Sequence, residues 1–304
     1  MAKFDMYDTV TKRILEQLEQ GIIPWLKPWT GGSGAWSRAT GKPYSLLNQL
    51  MLPRGEYVTY TQLTEEGGEL VKDENGKQPR AKQVWAFWYN AIKCGEEVNE
   101  DTGEVEDKIR LIPKAKYYKV YNVETDTTLE VKHKRDEIPA AGADAIEELE
   151  NIKNDYLTRS GVKYSEEMSG EAFYSPMWDS VTVPCREQFK ESAEFYSTVF
   201  HELGHSTGAP KRLNRFKIFD ANAAFGSESY SREELVAELT ACSILANMGV
   251  ETATSFRNSA GYIQGWSKKL KEDKEAIIRA SAKAEAAYNL IMGIEPNEDG
   301  EGNE

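Results

Sequence analysis

The chain has 304 residues, 40% of them hydrophobic and 29% charged, and a net charge of −13. That length favours two domains over one core, and no stretch approaches the roughly 18 apolar residues that cross a bilayer. The acidic balance excludes a surface built to be sheathed in a long polyanion.

The charge is uneven along the chain. Residues 1–139 carry 20 Lys and Arg against 22 Asp and Glu, a net of −2, whereas residues 140–304 carry the remaining −11. Any nucleic-acid contact therefore belongs to the N-terminal half. The segment Met1-Ala2-Lys3-Phe4-Asp5 lacks the apolar core of an export signal, so a cytoplasmic location and no membrane partner are expected. Cys94, Cys185 and Cys242 are odd in number, far apart and form no CxxC pair. They read as small buried thiols, not as disulfides or ligands.

In chain order, Val10, Ile14, Leu15 and Leu18 recur at helical spacing within residues 5–20, and Gly21 stops that helix. Pro24-Trp25-Leu26-Lys27-Pro28-Trp29 cannot be helix interior, and Gly31-Gly32-Ser33-Gly34 is a loop. Residues 44–52 and 61–70 predict short helices. The aromatic and β-branched run from Gln83 to Ile92 predicts a strand, and Lys116 to Val123 a second one, with an acidic hairpin tip at 96–107. A Pro/Ala/Gly stretch at 138–143 marks the domain boundary. A helix over 144–160, a short strand at Val181-Thr182-Val183-Pro184 and helices over 191–207, 231–248 and 257–292 follow. After Gly293 the tail has acids and no base, and predicts disorder.

The chemistry concentrates at His201-Glu202-Leu203-Gly204-His205. Residues four apart share a helix face, so both imidazoles can grip one ion while Glu202 acts on water beside it. Zinc suits this donor set because it takes nitrogen ligands tetrahedrally and keeps a position open. The chain has only three histidines, and two of them complete this motif. His133, within Lys132-His133-Lys134-Arg135, reads as solvated. A third ligand is expected from the helix that follows: Glu234, with Glu238 behind a histidine and orienting it. Ser231-Arg232-Glu233-Glu234 also matches a capping box that would occupy Glu234, leaving Glu238 or Glu233 as alternatives. The implied reaction is hydrolysis of an amide, with Glu202 as proton acceptor. Tyr230 is a conceivable oxyanion donor, although a structural tyrosine is the plainer reading.

With these residues in view, the sequence resembles the ArdC-type antirestriction proteins of conjugative plasmids and related mobile elements. One matching run is Tyr196-Ser-Thr-Val-Phe-His-Glu-Leu-Gly-His-Ser-Thr-Gly208, continued by Arg212-Leu213-Asn214-Arg215, Phe225-Gly226-Ser227 and Tyr230 to Glu238. It is similar to the polyvalent-protein metallopeptidase domain. Ile22-Ile23-Pro24-Trp25, Trp29, Gly41 to Asn48, Val84 to Tyr89 and Tyr121-Asn122-Val123 are similar to the single-stranded-DNA-binding domain that precedes it. The resemblance implies an α+β chain of two domains, 1–139 and 144–293, followed by an acidic tail at 294–304. It implies a zincin-like second domain with its active-site helix beside a small sheet. It also implies zinc at His201, His205 and a glutamate of the 231–238 helix, Glu202 as the catalytic residue, and single-stranded DNA and a host defence protein as partners.

Single strands are held by bases stacked on aromatics beside cations that follow the phosphates. Trp25, Trp29, Trp36, Trp85 and Trp88 all precede residue 90, interleaved with Lys27, Arg38, Lys42, Arg80 and Lys82. The candidate contacts are Trp25, Lys27, Trp29, Arg38, Lys42, Tyr44 and Trp88. Tryptophans are also common core residues. Two other readings remain: a zinc protease whose N-domain recognises protein, and a DNA-binding protein with a non-catalytic zinc site.

Overall fold

A computed structural model describes residues 5–26, 34–98, 105–135, 143–216, 228–250 and 260–295. Along these the chain forms α1 (Met6–Glu19), a 3-10 turn (Pro24–Leu26), β1 (Ala35–Ser37), α2 (Leu46–Met51), β2 (Gly55–Thr59) and α3 (Tyr60–Glu65). Two long strands follow, β3 (Lys82–Val98) and β4 (Val105–Asn122), and then α4 (Val123–Asp126) and α5 (Ala143–Ser160). The rest is β5 (Lys163–Glu167), β6 (Phe173–Ser175), β7 (Ser180–Pro184), α6 (Ser192–Ser206), α7 (Glu228–Asn247), α8 (Ala260–Glu272) and α9 (Ala276–Met292). The fold class is α+β, as expected.

Two compact units divide these elements, and they interleave in sequence. One takes residues 1–36, 43–54 and 134–304; the other takes 37–42 and 55–133. A linear split into 1–139 and 144–293 is thus not how the chain packs. The reason lies in α1, whose Asp5 cap accepts the Asp8 N–H and whose apolar stripe Val10, Ile14 and Leu18 is buried. That stripe packs with α8 and α9, and α2 lies on α9. The Thr11 hydroxyl donates to the Lys274 carbonyl at 2.7 Å.

The first unit holds a three-stranded sheet of order β5-β7-β6, with β5 parallel and β6 antiparallel to β7. Val181 and Val183 of β7 are buried against one core with Leu149, Ile152 and Tyr156 of α5. Phe195, Tyr196, Val199, Phe200 and Leu203 of α6 and Ala241, Ile244 and Leu245 of α7 complete it. The expected helix over 257–292 is two helices, broken at residues 273–275 without a Pro or Gly to announce it. β5 and β6 were not foreseen: Lys163-Tyr-Ser-Glu-Glu167 has no apolar run, and β6 is three residues long.

The second unit is built on the antiparallel ribbon of β3 and β4, paired from Lys82↔Val120 to Val98↔Val105 with an irregularity between Lys93 and Gly95. The two expected strands are therefore parts of a longer hairpin, whose tip at 99–104 lies outside the described residues. β2 joins only at its base, Tyr57↔Asn122 to Thr59↔Val120. The base is anchored by Val58, Leu63 and Val123. It is anchored also by the buried Glu56 carboxylate, which accepts from Arg38 at 2.6 Å and from the Lys132 and His133 N–H groups at 3.0 and 2.8 Å.

The approach of α6 to α7 sets the first unit's geometry. A Cβ on Gly204 would lie 3.1 Å from Ala237 Cα, a backbone atom that cannot swing away. Gly204→Val should therefore overpack this crossing and cost about 1–3 kcal/mol, although a helix normally gains by losing glycine. Urea unfolding of the two proteins checks this; equal midpoints and slopes would contradict the packing argument.

Candidate metal centre

His201 and His205 lie one turn apart on α6, on the face turned toward α7. Their rings meet edge to face, and the two Nε2 atoms converge to 3.2 Å. Glu234 reaches across from α7 with Oε2 3.4 Å from His201 Nε2 and Oε1 3.3 Å from His205 Nε2. A tetrahedral ion with bonds of about 2.0–2.1 Å holds its ligand atoms roughly 3.3 Å apart. The three groups already stand near that spacing, with one oxygen of Glu234 toward each imidazole, and nitrogen, nitrogen and carboxylate oxygen are a set that zinc takes. Among the described residues, His201, His205 and Glu234 are the cluster of such groups able to hold an ion.

The three glutamates that sequence left as alternatives take separate places. Glu234 faces both Nε2 atoms. Glu238, one turn on, puts Oε2 3.5 Å from His201 Nδ1, and Glu233 puts Oε1 3.8 Å from His205 Nδ1. Each imidazole thus has a carboxylate behind it, which favours the proton on Nδ1 and the lone pair on Nε2. The capping-box rival fails because α7 begins at Glu228, three residues before Ser231. The side chain of Tyr230 lies outside the described residues.

Glu233 owes its place to Arg215, a residue to which sequence reasoning assigned no role. The Arg215 guanidinium grips Glu233 at 2.5–3.2 Å and also donates to the Gly204 carbonyl and the Thr207 hydroxyl. It ties the end of α6 to the carboxylate of α7. Arg212 does the same for the sheet. It donates to Asp179, to the Tyr174 hydroxyl and to the Ser206 carbonyl, and so pins the β6–β7 turn beneath α6.

Electrostatics follow from four carboxylates around two rings. Burial alone would lower the His201 pKa, but Glu234 and Glu238 outweigh it and push it up to about 10. Burial would likewise lower His205, and Glu233 and Glu234 raise it. Burial alone would raise Glu234, and the imidazoles instead hold it well below the ordinary carboxylate range. Glu202 goes the other way. Its carboxyl is raised by burial, against the pull of both rings and the weaker pull of the Tyr174 backbone N–H. A carboxyl raised above its ordinary range beside a metal position is suited to trading protons with a bound water.

The expected nucleic-acid residues fare unequally. Trp25 is 1% exposed and Arg38 is 8% exposed. Arg38 is spent on Glu56 and on a bidentate bond to Glu66. Neither can meet a strand, so both readings are corrected: an aromatic or a cation in sequence carries no mark of which side it faces. Lys27 and Trp29 lie outside the described residues. Tyr44 is half-buried, Lys42 is exposed and Trp88 is 43% exposed. Of the described N-terminal tryptophans, Trp25, Trp36 and Trp85 are core residues and Trp88 alone is not.

Fold and site together define a zincin-like metalloprotein: an HExxH helix beside a small sheet, with a glutamate from the next helix closing the donor set. A model of the zincin-like metallopeptidase family matches residues 151–283, and one of the N-terminal domain of anti-restriction factor ArdC matches residues 4–121. The metal-free crystal structure of the antirestriction ArdC protein from plasmid R388 is 30% identical, over 96% of this chain and 98% of that one, with a TM-score of 0.65. Its Mn(II)-bound structure is 27% identical over 97% and 100%, with a TM-score of 0.66. The chain belongs to the ArdC antirestriction family. It is also 30% identical over 96% of its length to an Escherichia coli DNA primase TraC, of whose length it spans 27%. A second TraC, again 30% identical, is spanned over 20%. Among the described residues no helix is long and apolar enough to cross a membrane.

A metal held this way stabilises the fold by mass action. Zinc at a thousand times its dissociation constant should add about 4 kcal/mol, read as a higher calorimetric midpoint that a chelator abolishes. Glu233→Gln should weaken zinc roughly 10–100-fold, and Glu234→Gln by more, in competition against a chelating dye. Identical midpoints with zinc and with chelator would refute the site.

Proposed function

We propose that this chain is an antirestriction protein of a mobile genetic element that holds zinc at His201, His205 and Glu234, hydrolyses a peptide bond and binds single-stranded DNA. The observation that carries the hydrolytic half is the convergence of two imidazole nitrogens and the two oxygens of one carboxylate, in contacts of 3.2–3.4 Å, beside the buried carboxylate of Glu202. When bound, the ion polarises a carbonyl and makes water more acidic. The chain's own part is to position and to move protons. Glu202 takes the proton of the attacking water on its carboxylate and hands it to the leaving amine. The Tyr174 N–H favours the charged form of that carboxylate, and β6, which carries Tyr174, is the outer strand of its sheet beside β7. An extended peptide can lie along such an edge by backbone pairing. A host defence protein is the expected class of substrate.

The DNA-binding half rests on the β3–β4 ribbon. Side chains opposite each other in an antiparallel pair share a face. Trp88 stands opposite Lys114, Ala86 opposite Lys116 and Ile92 opposite Arg110. One face of the ribbon therefore presents an exposed tryptophan among three cations, and the Lys116 ammonium lies 4.5 Å from the Tyr118 ring centre. The acidic end partly neutralises itself, because Lys93 pairs with Glu96 and Asp107. Stacking on Trp88 beside cations that track phosphates is how single strands are held without sequence preference. Lys42 extends the positive surface of the same unit.

Two outcomes test the halves separately. Glu202→Gln should keep stoichiometric zinc yet lose at least about a hundredfold in cleavage of a general protein substrate such as casein; undiminished cleavage would exclude Glu202 as the proton acceptor. In the full chain, Lys114→Ala with Lys116→Ala should weaken a fluorescent oligonucleotide and flatten the slope of log affinity against log salt by about 0.7 per lost phosphate contact. An unchanged slope would remove the ribbon as the DNA surface.

A further inference from the structure

A polar chain leads out of the metal centre into the N-terminal segment. Trp25, in the turn Pro24–Leu26, buries its ring edge-on against Trp266, with centroids 6.0 Å apart. Its indole Nε1–H donates to the Tyr262 hydroxyl at 3.1 Å. That hydroxyl donates in turn to Glu238 Oε1 at 2.8 Å. The other oxygen of Glu238, Oε2, is the one that faces His201 Nδ1 at 3.5 Å. All four residues belong to the same compact unit.

The direction of each bond is fixed by chemistry. An indole N–H can only donate, so the Tyr262 oxygen accepts and its own proton points at Glu238. Glu238 is 5% exposed, and a buried carboxylate needs donors on its oxygens. Glu238 Oε2 stands 3.5 Å from His201 Nδ1, a charge contact not drawn in to a full hydrogen bond. That carboxylate favours a proton on Nδ1, which leaves Nε2 with its lone pair toward the ion position. Cys242 Sγ also approaches Oε1, at 3.7 Å, but a thiol is a weak donor.

We propose that Tyr262 and Trp25 are positioning residues of the metal site: through Glu238 they hold His201 in the Nδ1–H tautomer that offers Nε2 to the cation. This rests on the zinc reading given above. It also gives the N-terminal segment, which precedes the DNA-binding ribbon in sequence, a part in the metal centre of the other half of the chain.

The test measures zinc, not activity. Zinc affinity by competition with a chelating dye, and histidine tautomers by long-range proton–nitrogen NMR, are compared for wild type, Tyr262→Phe, Trp25→Phe and Glu238→Gln. Three histidines make the nitrogen spectrum assignable. Tyr262→Phe should bind one zinc about 10–100-fold more weakly and, in the metal-free protein at a pH above the raised His201 pKa, lose the single Nδ1–H signature of His201. Trp25→Phe, which acts through Tyr262, should show a smaller loss in the same direction. In a Glu238→Gln background, Tyr262→Phe should change little further, because the chain is already cut. Wild-type zinc affinity and an unmixed tautomer in Tyr262→Phe would overturn the proposal, as would a full additional loss in the Glu238→Gln background. Should Tyr262→Phe fail to fold, Trp25→Phe decides alone: unchanged affinity refutes. Wild type without stoichiometric zinc would instead sink the metal reading itself, and so the two failures stay distinct.

Discussion

Everything at this site depends on how closely α6 and α7 approach. Metal ligands on one helix can supply two imidazoles, but a third donor must come from elsewhere and arrive within about 0.5 Å. Gly204, between the two histidines, has no side chain, and Ala237 Cα sits where its Cβ would press. That contact places Glu234 opposite both Nε2 atoms and puts Glu233 and Glu238 one behind each ring. A larger residue at either point would separate the helices and move three carboxylates at once. The motif is usually read for its histidines and its catalytic glutamate; here the glycine inside it is what lets the second helix take part.

Much of this was readable because helical spacing is rigid. His201, Glu202 and His205 follow from four-residue periodicity, and so does the idea that Glu234 and Glu238 share a face. What periodicity does not say is where a helix starts. The capping-box alternative for Glu234 was reasonable until α7 proved to begin at Glu228. Short polar strands left no signal for the same reason in reverse: β5 and β6 have no repeating apolar pattern and exist because β7 offers them a partner. Arg215 and Tyr262 left no signal either. Their importance comes from contacts across 18 and 24 residues of chain, to Glu233 and Glu238.

The tryptophans teach a sharper lesson. Five of them in the first 90 residues, interleaved with cations, read as a stacking platform. Composition could not separate a ring that meets a base from one that fills a core. Burial separates them: Trp25 goes to the metal side of the molecule, Trp85 to the root of the ribbon under Phe87 and Tyr117, and Trp88 outward. The cations that accompany Trp88 come from β4, where Lys114 and Lys116 lie some 26–28 residues further on and were not singled out. The exposed basic face proposed for DNA is made by a hairpin, so it is written in two places at once, and only the register brings them together.

The charge arrangement explains why the cluster calls for a cation. Glu202, Glu233, Glu234 and Glu238 bring four carboxylates around two imidazoles, and Arg215 cancels one of them. Left alone, such a cluster must take up protons or cations, because unpaired buried charge is costly. The shifts run that way: both imidazoles are raised toward their protonated form, and Glu202 is raised as well. A divalent ion between the two Nε2 atoms and Glu234 supplies the same positive charge at the centre of the cluster and frees the rings to be neutral ligands. Metal and protons therefore compete for one place. Glu238 and Glu233 serve both states, since a carboxylate behind an imidazole stabilises the protonated ring and equally orients the neutral one. Whatever fixes Glu238 thus sets the balance between the two, and a tyrosine, backed by a tryptophan far from it in sequence, is among the groups that fix it.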